Sequence, residues 1–262
     1  MQLSVNGVDT FVATGGRPFD PSLPAVVLLH GAGFDHSTWA LHSRWFAHHG
    51  FSVLAPDLPG HGRSSGSALP TIADMADWTA ALLDAAGLKD AALVGHSMGG
   101  LVAIETAARF PDKVRALALC GVAAEMPVHP EMLESAKADT LKVQELMTFW
   151  GMGNALHKGG MVSPGLWLRR ESLAVLSGNG PGVIHADLAA CNAYKDALAR
   201  AAQVKCPTVL VLGDGDLMTP AAKAKPLAAA IAGSRTVVIP NSGHLMIVER
   251  PDETLEALKA GV

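Results

Sequence analysis

Six short runs rich in leucine and β-branched residues recur along the chain, at Ala25 to His30, Phe51 to Asp57, Ala91 to His96, Val114 to Gly121, Thr208 to Asp214 and Arg235 to Pro240. Such runs read as strands buried on both faces, the pattern of a parallel sheet. Stretches with helical spacing lie around them: Ser37 to His49, Thr71 to Ala86, Met98 to Phe110, Pro220 to Ala232 and Leu245 to Lys259. Alternation of this kind demands right-handed crossovers and places helices on both faces of the sheet, an α/β architecture. Near the N-terminus, Gln2 to Val5 and Thr10 to Ala13 are expected to form an antiparallel hairpin around Asn6-Gly7.

The rhythm lapses between Gly121 and about Pro207, where Met, Trp, Gly and Pro concentrate. With 262 residues, the chain has length for one α/β domain plus an insertion. The expected division is therefore a core of residues 1–121 and 203–262 and a helical cap of residues 122–202. Within the cap, Pro130 to Trp150 reads as one helix stopped at Gly151-Met152-Gly153, Pro164 to Leu176 as a second, and Val183 to Ala202 as a third.

Composition excludes several classes. Hydrophobic residues at 49% rule out disorder, and 20 Lys plus Arg against 24 Asp plus Glu leave no cationic surplus for nucleic acid. The first residues show no basic segment followed by a long apolar run, and no apolar run approaches a membrane span, so a cytoplasmic protein without a membrane partner is expected. Cys120, Cys191 and Cys206 are widely spaced without a CxxC pair and read as reduced, buried fillers.

The chemistry centres on Gly95-His96-Ser97-Met98-Gly99, which sits between an apolar strand and an Ala-rich helix. A sharp strand-to-helix turn there projects the Ser97 oxygen above the strand ends, and Gly95 and Gly99 leave room for neighbouring backbone. A hydroxyl is a weak nucleophile at neutral pH and needs a histidine to take its proton and an acid to orient that histidine. His244 fits best among 11 histidines, because Asn241-Ser242-Gly243-His244 follows the last strand and reaches the same sheet edge. Asp214 and Asp216 both follow the strand before it. Asp216 is favoured, because it lies on the loop that must reach back to His244, while Asp214 would tie that loop down. A calcium reading of the two is weak, since Met218 and Pro220 interrupt any alternation of oxygen ligands. Backbone donors for an oxyanion are expected at Met98 and, in His30-Gly31-Ala32-Gly33, at Ala32. Asp35-His36-Ser37 is no triad, and Ser37 reads as an N-cap. A pocket between strand ends and cap would be lined by Phe34, Trp150, Trp167, Met218 and Leu245.

Together, His30-Gly31-Ala32-Gly33, Asp57 to Ser64, Gly95 to Gly100, and Gly213 to Pro220 with Ser242-Gly243-His244 resemble the α/β-hydrolase superfamily, in particular its small capped esterase-like members. The resemblance implies the α/β-hydrolase fold, a triad in chain order Ser97, Asp216, His244, no metal or organic cofactor, and a structural role for Asp57 to Ser64. Ser97 at the turn argues against the branches that use Asp there, and Gly33-Phe34-Asp35 differs from the Gly-Pro-Gly common in carbon–carbon hydrolases. The expected activity is hydrolysis of a small ester-like substrate through an acyl-enzyme on Ser97. Carbon–carbon, lactone or thioester hydrolysis and perhydrolysis use the same triad, and a non-catalytic receptor on this fold is the third reading.

Overall fold

The computed structural model describes residues 1–157 and 167–262. An antiparallel hairpin, β1 (Gln2–Val5) and β2 (Val8–Ala13), turns at Asn6 and Gly7 and pairs its second strand antiparallel to β4 (Ser52–Pro56). From β4 onward every pairing is parallel, through β3 (Ala25–Leu29), β5 (Ala91–His96), β6 (Val114–Cys120), β7 (Thr208–Gly213) and β8 (Arg235–Ile239). The order across the sheet is β1-β2-β4-β3-β5-β6-β7-β8, with β5, the strand that leads into Ser97, near the centre.

The sheet works because both faces of its central strands are apolar. Successive side chains point to opposite faces, and on β3 Ala25, Val27 and Leu29 join one core while Val26 and Leu28 join the other. The strand β8 departs from the expected double burial: Arg235, Thr236 and Val238 are exposed, because β8 is the edge of the sheet.

In chain order the helices are α1 (Ala40–His48), α2 (Ile72–Ala85), α3 (Met98–Arg109), α4 (Pro130–Lys137), α5 (Leu141–Gly151), α6 (Asn154–His157), α7 (Leu168–Ser177), α8 (Val183–Ala193), α9 (Ala197–Ala201), α10 (Ala221–Ala230), α11 (Met246–Glu249) and α12 (Pro251–Lys259). Several expected helices are broken, each for a local reason. The stretch Pro130 to Trp150 divides where Asp139 takes a left-handed conformation (φ 52°), which ends α4. Leu245 to Lys259 divides at Arg250, which the following Pro251 forces out of the helical region (φ −137°). Val183 to Ala202 divides at Tyr194, which is extended. The start of the expected helix from Pro164 lies outside the described residues. Ser37 is not an N-cap: Asp35 takes that place, accepting from the Ser37 amide at 2.8 Å ahead of the 3-10 turn His36–Trp39.

Between β6 and β7 the described residues add no strand but the helices α4 to α8, of which α4, α5 and α8 place side chains on a cavity shared with Ser97 and His244. These helices are called the cap below; α9 packs back against α3 and α10. Among the described residues no helix is long and apolar enough to cross a membrane.

Candidate active site

Ser97 sits between β5 and α3 with φ 53° and ψ −117°, a backbone conformation that non-glycine residues rarely adopt. The surrounding structure over-determines it. A Cβ on Gly95 would overlap the Gly99 carbonyl, and one on Gly99 would overlap the Leu29 carbonyl, so both glycines permit a backbone crossing. Gly95→Ala is accordingly expected to destabilise the fold by about 3 kcal/mol or more, at or beyond the upper end for overpacking, because the obstacle is backbone. A urea midpoint checks this, and an unchanged midpoint would contradict the tight crossing.

His244 and Asp216 reach the same place from the loops after β8 and β7. His244 Nδ1 lies 2.8 Å from Asp216 Oδ2, and both residues are buried. The carboxylate is saturated by donors: the amides of Met218 and Thr219 reach Oδ1 at 2.8 Å each, and the Thr219 hydroxyl reaches Oδ2 at 2.7 Å. Burial alone would raise the Asp216 pKa, but the neighbouring His244 and the Thr219 bonds outweigh it and hold the group at about 2. An ionised acceptor at Nδ1 fixes the tautomer with the proton there and leaves Nε2 as a base. That nitrogen is buried and has no hydrogen-bond partner among the described residues. Such bonds to the nucleophile are often long in a resting site and tighten with substrate. Asp214 plays the other part expected for it, accepting from the Ser242 amide at 3.2 Å and holding the loop before His244.

The loop after β3 is set by His30. The Leu58 amide donates to His30 Nε2 at 3.1 Å, so the ring proton is on Nδ1, which donates to the Gly31 carbonyl at 2.9 Å. Burial pushes the His30 pKa down to about 4, so this neutral tautomer persists. The Gly31 carbonyl also accepts from the Phe34 amide at 3.1 Å. In a trans peptide the N–H points away from the C=O, which turns the Ala32 N–H away from these bonds. Among the described residues neither the Ala32 nor the Met98 amide donates to a protein acceptor, and Met98 opens α3, where the dipole favours negative charge.

Ser97, His244, Ala32 and Phe34 line a cavity of about 360 Å³ roofed by the cap. Of the expected wall residues, Phe34, Trp150, Met218 and Leu245 are there. Trp167 is not: it is 59% exposed and faces a separate small pocket beside Leu156 and Leu168. Its place on the wall is taken by Met126, Met132, Met147, Leu188 and Cys191. Cys191 is buried and its thiol is pushed up by that burial, which leaves it unsuited to nucleophilic work.

Three positioning groups escape a sequence reading. Thr219 binds both Asp216 and His244, and its only linear signal is the three-residue spacing from Asp216. His96 donates from Nε2 to the His244 carbonyl at 2.8 Å; burial lowers its pKa to about 3, so it holds the histidine loop as a neutral group. Glu249 accepts from the Gly243 and Gly153 amides at 3.0 to 3.1 Å, joining the histidine loop to the cap. Neither of the last two carries a local pattern.

Among the described residues one group, Asp35, His36 and Asp57, is spaced for a metal ion. Both Asp57 oxygens are already filled by N–H donors, from the His36 amide and ring and the Arg63 amide at 2.7 to 2.9 Å, so the cluster anchors the 57–64 loop instead.

A serine on a strand-to-helix elbow and a histidine–carboxylate pair, lining one cavity at the ends of a parallel sheet, define the α/β-hydrolase class. The chain belongs to the alpha/beta hydrolase family, whose model matches residues 26–257, and it is an enzyme of that family. It is 33% identical to the pimeloyl-[acyl-carrier protein] methyl ester esterase of Chromobacterium violaceum, over 96% of this chain and 97% of that one. It is 25% identical to the (E)-2-((N-methylformamido)methylene)succinate hydrolase of Acinetobacter baylyi, over 99% and 96% of the two chains. Among solved structures it is similar to the enol-lactonase of Burkholderia xenovorans LB400, with a TM-score of 0.87 and 25% identity over 99% and 98% of the two chains.

Proposed function

We propose that this enzyme hydrolyses carboxylic esters with neutral, apolar acyl groups through an acyl-enzyme on Ser97. The observation that carries the reading is the buried, unpartnered Nε2 of His244, whose Nδ1 is bound to Asp216, in the cavity that also holds Ser97. Ser97 Oγ attacks the ester carbonyl while His244 Nε2 takes its proton. The oxyanion receives the N–H groups of Ala32 and Met98, at positions where loss of one donor typically costs about 100- to 1000-fold in rate. Collapse expels the alcohol, which takes its proton from His244. Water, deprotonated by the same nitrogen, then attacks the acyl-enzyme, and the carboxylic acid leaves with Ser97 regenerated.

Substrate class follows from the wall. Among the described residues no Asp, Glu, Lys or Arg lines the cavity, and the ionisable groups there are three histidines and Cys191. Met126, Met132 and Met147 offer an adaptable apolar surface. A carboxylate at the far end of the acyl chain would be buried without a partner, which is costly. The nitrophenyl ester of hexanoic acid is thus expected to show kcat/KM at least about tenfold above that of the corresponding adipic half-ester, whose carboxylate costs more than ~1.4 kcal/mol to desolvate. Equal values would contradict the neutral-pocket reading.

Likeness to the enol-lactonase supports a second reading, in which the ester is cyclic and the leaving alkoxide stays tethered to the acyl group. A δ-lactone measured beside the open-chain esters separates the two by which gives the larger kcat/KM.

A further inference from the structure

The cap does more than wall the cavity: we infer that Asp187 and Asn179 grip Gly33 from above and act as positioning residues for the neighbouring Ala32 N–H. The inference rests on the serine-hydrolase reading and deepens it. Gly33 donates its N–H to Asp187 Oδ2 at 2.8 Å, and its carbonyl accepts from Asn179 Nδ2 at 2.6 Å. Both backbone polar groups of one oxyanion-loop residue are therefore held by side chains from the far part of the chain. Gly33 has φ 68°, and a Cβ there would meet Leu176 Cδ2 at 2.9 Å and Ile184 Cγ1 at 3.1 Å, also from the cap. The cap thus encloses this residue with apolar and polar contacts together.

The grip matters because of which peptide it fixes. The Gly33 N–H belongs to the peptide unit that follows Ala32, while the unit before Ala32 is fixed through the Gly31 carbonyl by His30 and Phe34. Ala32 therefore lies between two immobilised peptide planes, one held by the core and one by the cap. Release of the Gly33 plane leaves the Ala32 N–H held from the core side alone, so it shifts within the slack of the Gly31 bonds and loses alignment with the place where the oxyanion forms. A donor a few tenths of an ångström out of line loses much of its value, because hydrogen bonds weaken with angle and distance.

Asp187 is itself tied to the core. His61 Nε2 lies 2.8 Å from Asp187 Oδ2, and His61 Nδ1 lies 3.1 Å from the Pro59 carbonyl. Burial works against a charge on His61, but the Asp187 charge and hydrogen bond outweigh it and raise its pKa, which favours an imidazolium–carboxylate pair with both side chains buried. The bond to Gly33 is consequently charge-assisted, the stronger kind. Asp187 Oδ1 is buried without a partner among the described residues, which leaves His61 as the main compensation for the charge.

The experiment compares Asn179→Ala and Asp187→Asn with the native enzyme in three readouts: kcat and KM for a nitrophenyl ester, inhibition by a trifluoromethyl ketone, and labelling of Ser97 by a fluorophosphonate. The ketone adds to Ser97 and carries the oxyanion, so its affinity reports the Ala32 donor, while KM reports ground-state fit. We expect kcat to fall by about tenfold for Asn179→Ala and up to about a hundredfold for Asp187→Asn, short of the full loss of a donor. KM should stay within about twofold, and ketone affinity should weaken by the same factor as kcat, as differential binding requires. A general loosening of the cap would instead raise KM and leave the ratio of ketone affinity to KM unchanged, and that result, or unaltered kcat in both variants, would overturn the inference. Asn179 is half-buried, so Asn179→Ala decides alone if Asp187→Asn does not fold. A native enzyme that hydrolyses esters but gains no Ser97 adduct overturns the serine-hydrolase reading, and the clasp with it.

Discussion

Ser97→Ala is expected to lower kcat by roughly 10⁶-fold, the scale on which serine hydrolases lose activity when the nucleophile is removed. No neighbour can substitute. His96 is turned to the His244 carbonyl, and Cys191, though on the cavity wall, keeps its proton because burial raises its pKa. The fold should be indifferent, since Ala and Ser experience the same backbone strain at φ 53°. A melting temperature within about 2–4 °C of native, equivalent to ~1 kcal/mol at this size, would separate lost chemistry from lost structure. Activity within tenfold of native in that variant would remove Ser97 from the mechanism.

The second large effect is expected at Asp216→Asn, a fall of about 10⁴-fold in kcat. Asparagine can keep its oxygen toward the Met218 and Thr219 amides, which places its NH₂ against His244 Nδ1. Two donors cannot face each other, so the ring proton moves to Nε2 and the base becomes a donor where it must accept. Asp214→Asn is the contrast: its oxygen still receives the Ser242 amide, and the change in rate should stay within a few-fold. Steady-state kcat on one ester, measured for both variants, is sufficient. The reverse ranking would make Asp214 the acid.

Much of the architecture was legible because the central strands advertise themselves. Val26 to Leu29 and Ala91 to Val94 are apolar at every position, as double burial demands, and the helices between them follow from the parallel connections. The strand-to-helix turn at Ser97 was legible because it compresses its constraint into five residues, Gly95 to Gly99. Double burial fails at the edge strand β8, and nothing in Arg235 to Ile239 says which strand ends the sheet.

The cap was harder for a different reason. Its expected helices were too long, since a single left-handed Asp139 or an extended Tyr194 ends a helix without any strong breaker in the sequence. Trp167 illustrates the same limit: an aromatic residue in a cap can face the cavity or the outside, and the rotation of the helix that follows it decides which. The groups that hold the site together, His96, Glu249, Asn179 and Asp187, act on backbone atoms far away in sequence, 154 residues in the case of Asp187 and Gly33. Such contacts leave no periodicity, so only the folded arrangement reveals them.

The fold also distributes control of the site between layers. His96 and Glu249 hold the histidine loop from within the core, with Glu249 extending to the cap at Gly153. Asp187 and Asn179 hold the opposite loop from the cap side. The loops that carry His244 and Ala32 are thereby held by contacts on both sides of the cavity.

The central claim is that catalysis passes through a covalent ester on Ser97, and rapid-quench mass spectrometry of the native enzyme during turnover of a nitrophenyl hexanoate tests it directly. A hexanoyl mass increment is expected on the peptide that carries Ser97, and none in Ser97→Ala. Sustained hydrolysis with no increment, or an increment on any other residue, would contradict it.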